Sequence, residues 1–226
     1  ECETAGKIGN TYSGSLEPLS AVSNVTAELM DIITDGADEE ADEALRERFY
    51  EKVRNPATSG NKHHYRQWAL EVPGVGDAKV FPLDSGDGTL TVLIVDVDKA
   101  RNPSLEPAVR DYIETVRPIG ATVTVSSPTM RSVNVSANVI LDGTKTLDDV
   151  LAMFKSQFTE YLKSLVFVEY RVSYAKIGSL LLNIEGVQDY DDLRLNNSTG
   201  NIIVGEKEIP AMGTVSLEEV HTIAAD

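Results

Sequence analysis

Apolar positions fall into runs whose period changes along the chain, and each change predicts an element. Ala41, Leu45, Phe49 and Val53 recur every four residues, the spacing of one helical face, so a helix with a buried stripe is expected. Asp38, Glu39 and Glu40 at its start complement the helix dipole, and Asn55-Pro56 ends it. After Thr58-Ser59-Gly60-Asn61 a second helix carries Tyr65, Trp68 and Ala69 on one face and closes at Pro73-Gly74. Two strand-like runs follow, Val75 to Phe81 and Thr89 to Val97, joined by the hairpin loop Asp84-Ser85-Gly86-Asp87-Gly88. Leu90 and Val92 to Val95 place apolar groups on both faces, the mark of a central strand covered on each side. Asn102-Pro103 caps a helix striped by Leu105, Ala108, Val109, Tyr112, Ile113 and Val116, Arg117-Pro118 stops it, and Ala121 to Val125 alternates as a strand.

A break falls at Ser126-Ser127-Pro128. Beyond it Val133, Val135, Ala137, Val139 and Leu141 alternate with largely polar neighbours, predicting a half-solvated strand. Thr146 with Asp149 approximates a capping box and opens a long helix lined by Val150, Leu151, Phe154, Phe158, Leu162 and Leu165. A shorter helix puts Tyr174, Ile177, Leu181 and Ile184 inward, and Val187 to Leu195 with Asn201 to Val204 reads as another hairpin. Residues 1–20 read as loop, and Ala21 to Ile33 is ambiguous between strand and helix.

Leu70-Glu71-Val72-Pro73-Gly74-Val75-Gly76-Asp77 is echoed by Leu182-Asn183-Ile184-Glu185-Gly186-Val187-Gln188-Asp189. The expected fold class is therefore α+β, with two related helix-helix-hairpin modules arising by duplication and a short irregular or β segment before them. The boundaries expected are a remnant of a β-rich portion at 1–34, modules at 35–126 and 127–215, and a tail at 216–226.

The 226 residues suit two domains of about 100 residues each. Thirty-six acidic against 20 basic residues give a net charge of -16, and the cations are scattered singly, so no nucleic-acid partner is expected. With no run of 18 or more apolar residues, no membrane partner is expected either. The one cysteine, Cys2, excludes an internal disulfide.

Candidate chemistry is sparse. Asp96-Val97-Asp98 at the end of the central strand has the form of a carboxylate pair for a hard cation, yet such pairs are most often a strand's solvated exit. Asp84 and Asp87 depart from calcium-loop spacing. His63 and His64 point about 100° apart on a helix and do not converge on one ion. Gly74-Val75-Gly76 precedes a strand, whereas phosphate-binding glycines follow one. Neither a catalytic residue, nor a metal ligand, nor a cofactor is expected. Were this a sugar-binding module, Trp68 would stand exposed; the pattern places it in the core.

Gly36 to Phe49, Thr58-Ser59-Gly60-Asn61 with Tyr65, Trp68 and Ala69, Gly74-Val75, and Arg117-Pro118-Ile119-Gly120-Ala121 together resemble the baseplate J-like family of contractile phage tails. The likeness runs from about Ala5 to Val215, closest to versions in phage-like elements and prophages of Gram-positive bacteria. Gly6, Gly9 and Asn10 resemble a family stretch that normally follows a further N-terminal portion, which implies a fragment. The resemblance implies a non-enzymatic structural protein of the baseplate wedge, in several copies around the tail axis. Its implied partners are other wedge proteins and hub or tail proteins, in a particle assembled in the bacterial cytoplasm. It also implies that Arg46 and Arg48 pair with neighbouring acids, that Gly60 permits a turn and that Pro118 stops a helix. The competing expectation is a metal-dependent enzyme using Asp96 and Asp98.

Overall fold

The computed structural model describes residues 14–16, 27–29, 41–54 and 60–220. The chain divides into two compact units, Glu1–Pro56 and Ala57–Asp226. In the first, β1 (Gly14–Leu16) pairs antiparallel with β2 (Ala27–Leu29). The ambiguous Ala27 to Leu29 stretch is thus a strand, and its partner lies where loop is expected. The helix α1 (Asp42–Arg54) has Asp42 and Glu43 in its first turn, and Arg46 reaches Glu43 at 2.8 Å. Its stripe differs from expectation, since Leu45, Phe49, Tyr50 and Val53 are all exposed. Periodicity says which side chains share a face, and nothing about what covers that face. Asp38 to Glu40 and Asn55-Pro56 lie outside the described residues.

In the second unit α2 (Lys62–Leu70) starts at Asn61, whose Oδ1 accepts the His64 N–H at 2.9 Å. Strands β3 (Val75–Pro82) and β4 (Thr89–Asp96) form the expected antiparallel hairpin. After α3 (Glu106–Val116), β5 (Thr122–Ser126) joins β4 in parallel, which makes β4 central. Both its faces are buried. Val92 and Ile94 pack with Tyr65, Trp68, Val109 and Ile113 of the two helices, while Val95 meets Val166 and Ile209 from the following lobe. Trp68 is 7% exposed, a core residue rather than a platform. Gly60, at φ +72°, lies where a Cβ would stand 2.6 Å from Pro118 Cγ. The turn before α2 and the stop after α3, two of the stretches that carry the family likeness, are therefore one packing contact.

The second lobe is built on β6 (Thr129–Leu141), whose Val133, Val135, Ala137 and Val139 are buried in one core with α4 (Leu147–Leu165) and α5 (Tyr174–Leu182). Both hydrogen bonds of the Thr146–Asp149 capping box are present, and Phe154 stacks on Phe158 at 5.6 Å. On either side of β6 lie β8 (Val187–Leu195), antiparallel, and β10 (Glu208–Glu219), parallel.

Three expectations are corrected here. The second hairpin does not form: β9 (Ile202–Ile203) pairs with β7 (Arg171–Val172), and β8 pairs with β6. Ser216 to Glu219, expected in the tail, belong to β10. The internal echo is real only locally. At both places a helix passes through a glycine in the left-handed region, Gly74 at φ +92° and Gly186 at +97°, into a strand. From there the pairing diverges, forward to β4 from β3 and back to β6 from β8. The fold is α+β, and two helix-helix-hairpin modules do not describe it.

Candidate functional site

Asp96 and Asp98 are the carboxylates the sequence singles out. β4 ends at Asp96, and Oδ1 of that residue accepts the N–H of Asp98 at 3.0 Å and of Ala100 at 2.9 Å. This is the side-chain-closed turn aspartate favours at a strand exit. Asp98 lies 3.9 Å from Lys163. Among the described residues there is no group of three or more His, Cys, Asp or Glu placed to share an ion. His64 is spent locally: its Nδ1 accepts the Gly60 N–H at 3.3 Å, and its ring lies 3.9 Å from that of Trp68.

Asp84 proves to be a tie between lobes. Lys207 Nζ reaches its two oxygens at 2.5 and 2.7 Å, and Thr91 Oγ1 donates to Oδ2 at 2.7 Å. These bonds, the lysine's foremost, hold the Asp84 carboxyl below the usual carboxylate range. Nearby, Lys79 donates to the Tyr170 hydroxyl and lies 4.2 Å from that ring and 4.9 Å from Phe81. Burial lowers the Lys79 pKa, opposed by the charge of Glu206. Composition concealed this seam, because its lysines sit among far more numerous acids. The one signal was alternation: Lys79 and Phe81 share the face of β3 opposite to buried Ala78.

The face of the second sheet away from the helices carries Ser136, Asn138, Arg194, Asp191 and Glu218 at paired register positions. Asn134, which opens the glycosylation-type triplet Asn134-Val135-Ser136, is engaged: its Oδ1 accepts the Thr214 N–H at 2.9 Å. α1 offers an apolar stripe, and among the described residues β5 has a strand partner on one side only. Such an arrangement can bind other protein surfaces. Among the described residues no helix is long and apolar enough to cross a membrane.

Residues 57–127 match the baseplate J-like central domain and residues 133–218 the baseplate J-like protein C-terminal domain. The chain is 34% identical to the phage-like element PBSX protein XkdT of Bacillus subtilis over 96% of its length, covering 66% of that protein. It is 30% identical to the baseplate protein gp47 of Escherichia phage Mu over 93% of its length, covering 61%. It thus spans just under two thirds of these relatives. A chain in the baseplate of the anti-feeding prophage shares the fold, with a TM-score of 0.59 and 15% identity over 87% of this chain and 46% of that one. With both domain models falling in order on the lobes that hold the two cores, this chain belongs to the baseplate J-like family.

Proposed function

We propose that this chain is part of a non-enzymatic wedge component of a contractile tail baseplate. Its partners in this reading are neighbouring wedge, hub and tail proteins, with several copies around the tail axis, in a phage or phage-like particle assembled in the host cytoplasm. One observation carries the reading: central and C-terminal baseplate domain matches occur consecutively on one chain, beside a relative named as a baseplate protein. The disposition of polar groups supports it. Asp96 closes its own turn, Asp84 pairs with Lys207, and Asn134 holds β10, so side chains suited to chemistry serve the fold instead. The lobes at 60–126 and 129–219 are the working modules, and specific contacts on them would each bury on the order of 1,200 to 2,000 Å².

The test is deletion of the full-length gene from an inducible element that carries it, followed by electron microscopy of induced lysates. The expected result is loss of complete tails and their return when the gene is supplied in trans. Normal particles from the deletion strain would refute the assignment. A thermal shift with millimolar Mg²⁺, Mn²⁺ or Ca²⁺ that disappears in Asp96→Asn would favour the metal-dependent reading.

A further inference from the structure

We infer that the open edge of β5 takes up an extended segment of a neighbouring baseplate subunit by strand addition, a step that rests on the assembly role proposed above. Thr122 N–H donates to Gly88 O at 2.8 Å, so Thr122, Thr124 and Ser126 turn their backbone groups toward β4. Strand alternation then points the N–H and C=O of Val123 and Val125 away from the sheet. Among the described residues no strand pairs with that side.

The ends of this edge are closed in an orderly way. Arg117 Nη1 donates to Ala121 O at 2.5 Å, and Ser127 N–H donates to Glu106 Oε1 at 2.8 Å. Both side chains come from α3 or its C-cap, and they satisfy outward groups at 121 and 127, leaving the rungs at 123 and 125 between them. Thr122 to Ser126 itself holds no charge, no proline and no bulge, three of the usual protections of an edge. The opposite edge of the same sheet is blunted: β3 carries a register shift after Val75, Lys79 in its middle and Pro82 at its end.

The chemistry of the occupant follows. Val123 and Val125 pack on the α2–α3 core, so an added strand would carry apolar residues on the helix side and polar ones beside exposed Thr122 and Thr124. Arg110, one turn on from Glu106 along the helix row that reaches this edge, is more than half exposed. Its carboxylate neighbours on the helix are the adjacent Asp111, at 3.4 Å, and Glu114, whose carboxyl its charge helps hold low, so an acidic residue in the incoming segment would add a partner from outside the helix. A second copy of this chain fits poorly. Five residues of strand bury far less than the roughly 1,200 Å² of a stable dimer, and each copy carries a charge of -16.

The experiment uses the full-length protein and its particles. Hydrogen exchange is measured on peptides spanning 121–127, in the isolated protein and in assembled tails; protection gained only in tails is expected, and equal exchange would overturn the inference. Val123→Pro and Val125→Pro remove the outward donors together with side chains that pack on the α2–α3 core, so each is compared with alanine at the same position, which takes away the packing alone; particle yield is expected to fall about tenfold or more below that of the alanine variant from loss of backbone hydrogen bonds. Val125→Thr keeps the backbone and is expected to restore yield. Thr124→Pro, whose N–H faces β4, is the control expected to lower Tm. Normal yield from both outward proline variants overturns strand addition while leaving the baseplate role intact. Normal particles without the gene overturn that role first. Protection of 121–127 in an isolated dimer would make the occupant a second copy and also overturn the inference.

Discussion

The contact between Gly60 and Pro118 allows a sharp energetic test. Gly60→Ala introduces two costs. An L-residue at φ +72° loses about 1–2 kcal/mol relative to its relaxed backbone. Its Cβ would also stand 2.6 Å from Pro118 Cγ and 3.1 Å from Cδ, and a pyrrolidine ring has little room to yield; such overpacking costs about 1–3 kcal/mol. Pro118→Ala alone costs about 0.5–1 kcal/mol through a freer unfolded chain. It removes Cγ and Cδ and leaves Cβ, 3.9 Å away. In that background Gly60→Ala should keep only its backbone cost, so the double variant is more stable than the sum of the single effects by about 1–3 kcal/mol. Urea unfolding followed by Trp68 fluorescence is the assay. Trp68 is the one tryptophan of the chain and lies on the helix that Gly60 precedes. Additivity within about 0.5 kcal/mol would refute the view that these two positions are one contact.

Three further outcomes are expected. Thr146→Ala removes the side chain that accepts the Asp149 N–H, and should lower stability by about 1 kcal/mol with an unchanged urea m-value. Phe158→Ala empties a fully buried site stacked on Phe154 and should cost about 3–5 kcal/mol in the same measurement. Because the Asp84 carboxyl is held low by Lys207, its contribution is present above the unfolded value near 3.9 and is lost as pH falls through the lower folded value. In Asp84→Asn, unfolding between about pH 2 and 5 should therefore vary less steeply with pH than in the parent, and an unchanged slope would refute the tie.

Much of the fold can be read from local pattern, because the interactions that set it are local. The cap at Asn61, the box at Thr146, the hairpin before β4 and the two-faced burial of β4 each follow from residues a few positions apart. What escapes is pairing at long range. The alternation of β10 is interrupted by Pro210 and Gly213, and its partner β6 lies far back in the chain. Gly213 explains itself only in the folded state, where a Cβ would stand 2.2 Å from Asn134 Oδ1. The apolar stripe of α1 was legible but its exposure was not, since hydrophobic spacing is the same beneath a core as beneath a partner. The lobe seam escaped because Lys79, Tyr170 and Lys207 become neighbours only through tertiary structure.

The parallel pairing of β10 with β6 also bears on how the protein is made. Thr129 leaves the ribosome long before Glu208, its neighbour in the finished sheet, so one side of the second lobe's central strand stays bare while α4, α5 and β8 are synthesised. Val133 to Val139 must wait for Val215 and Leu217 to complete their layer, and a nascent chain stopped before Glu208 would expose a long apolar strand to its neighbours. Translation pauses in that interval, or chaperones that shield it, would therefore govern the yield of this lobe more strongly than equivalent events in the hairpin-based lobe before it.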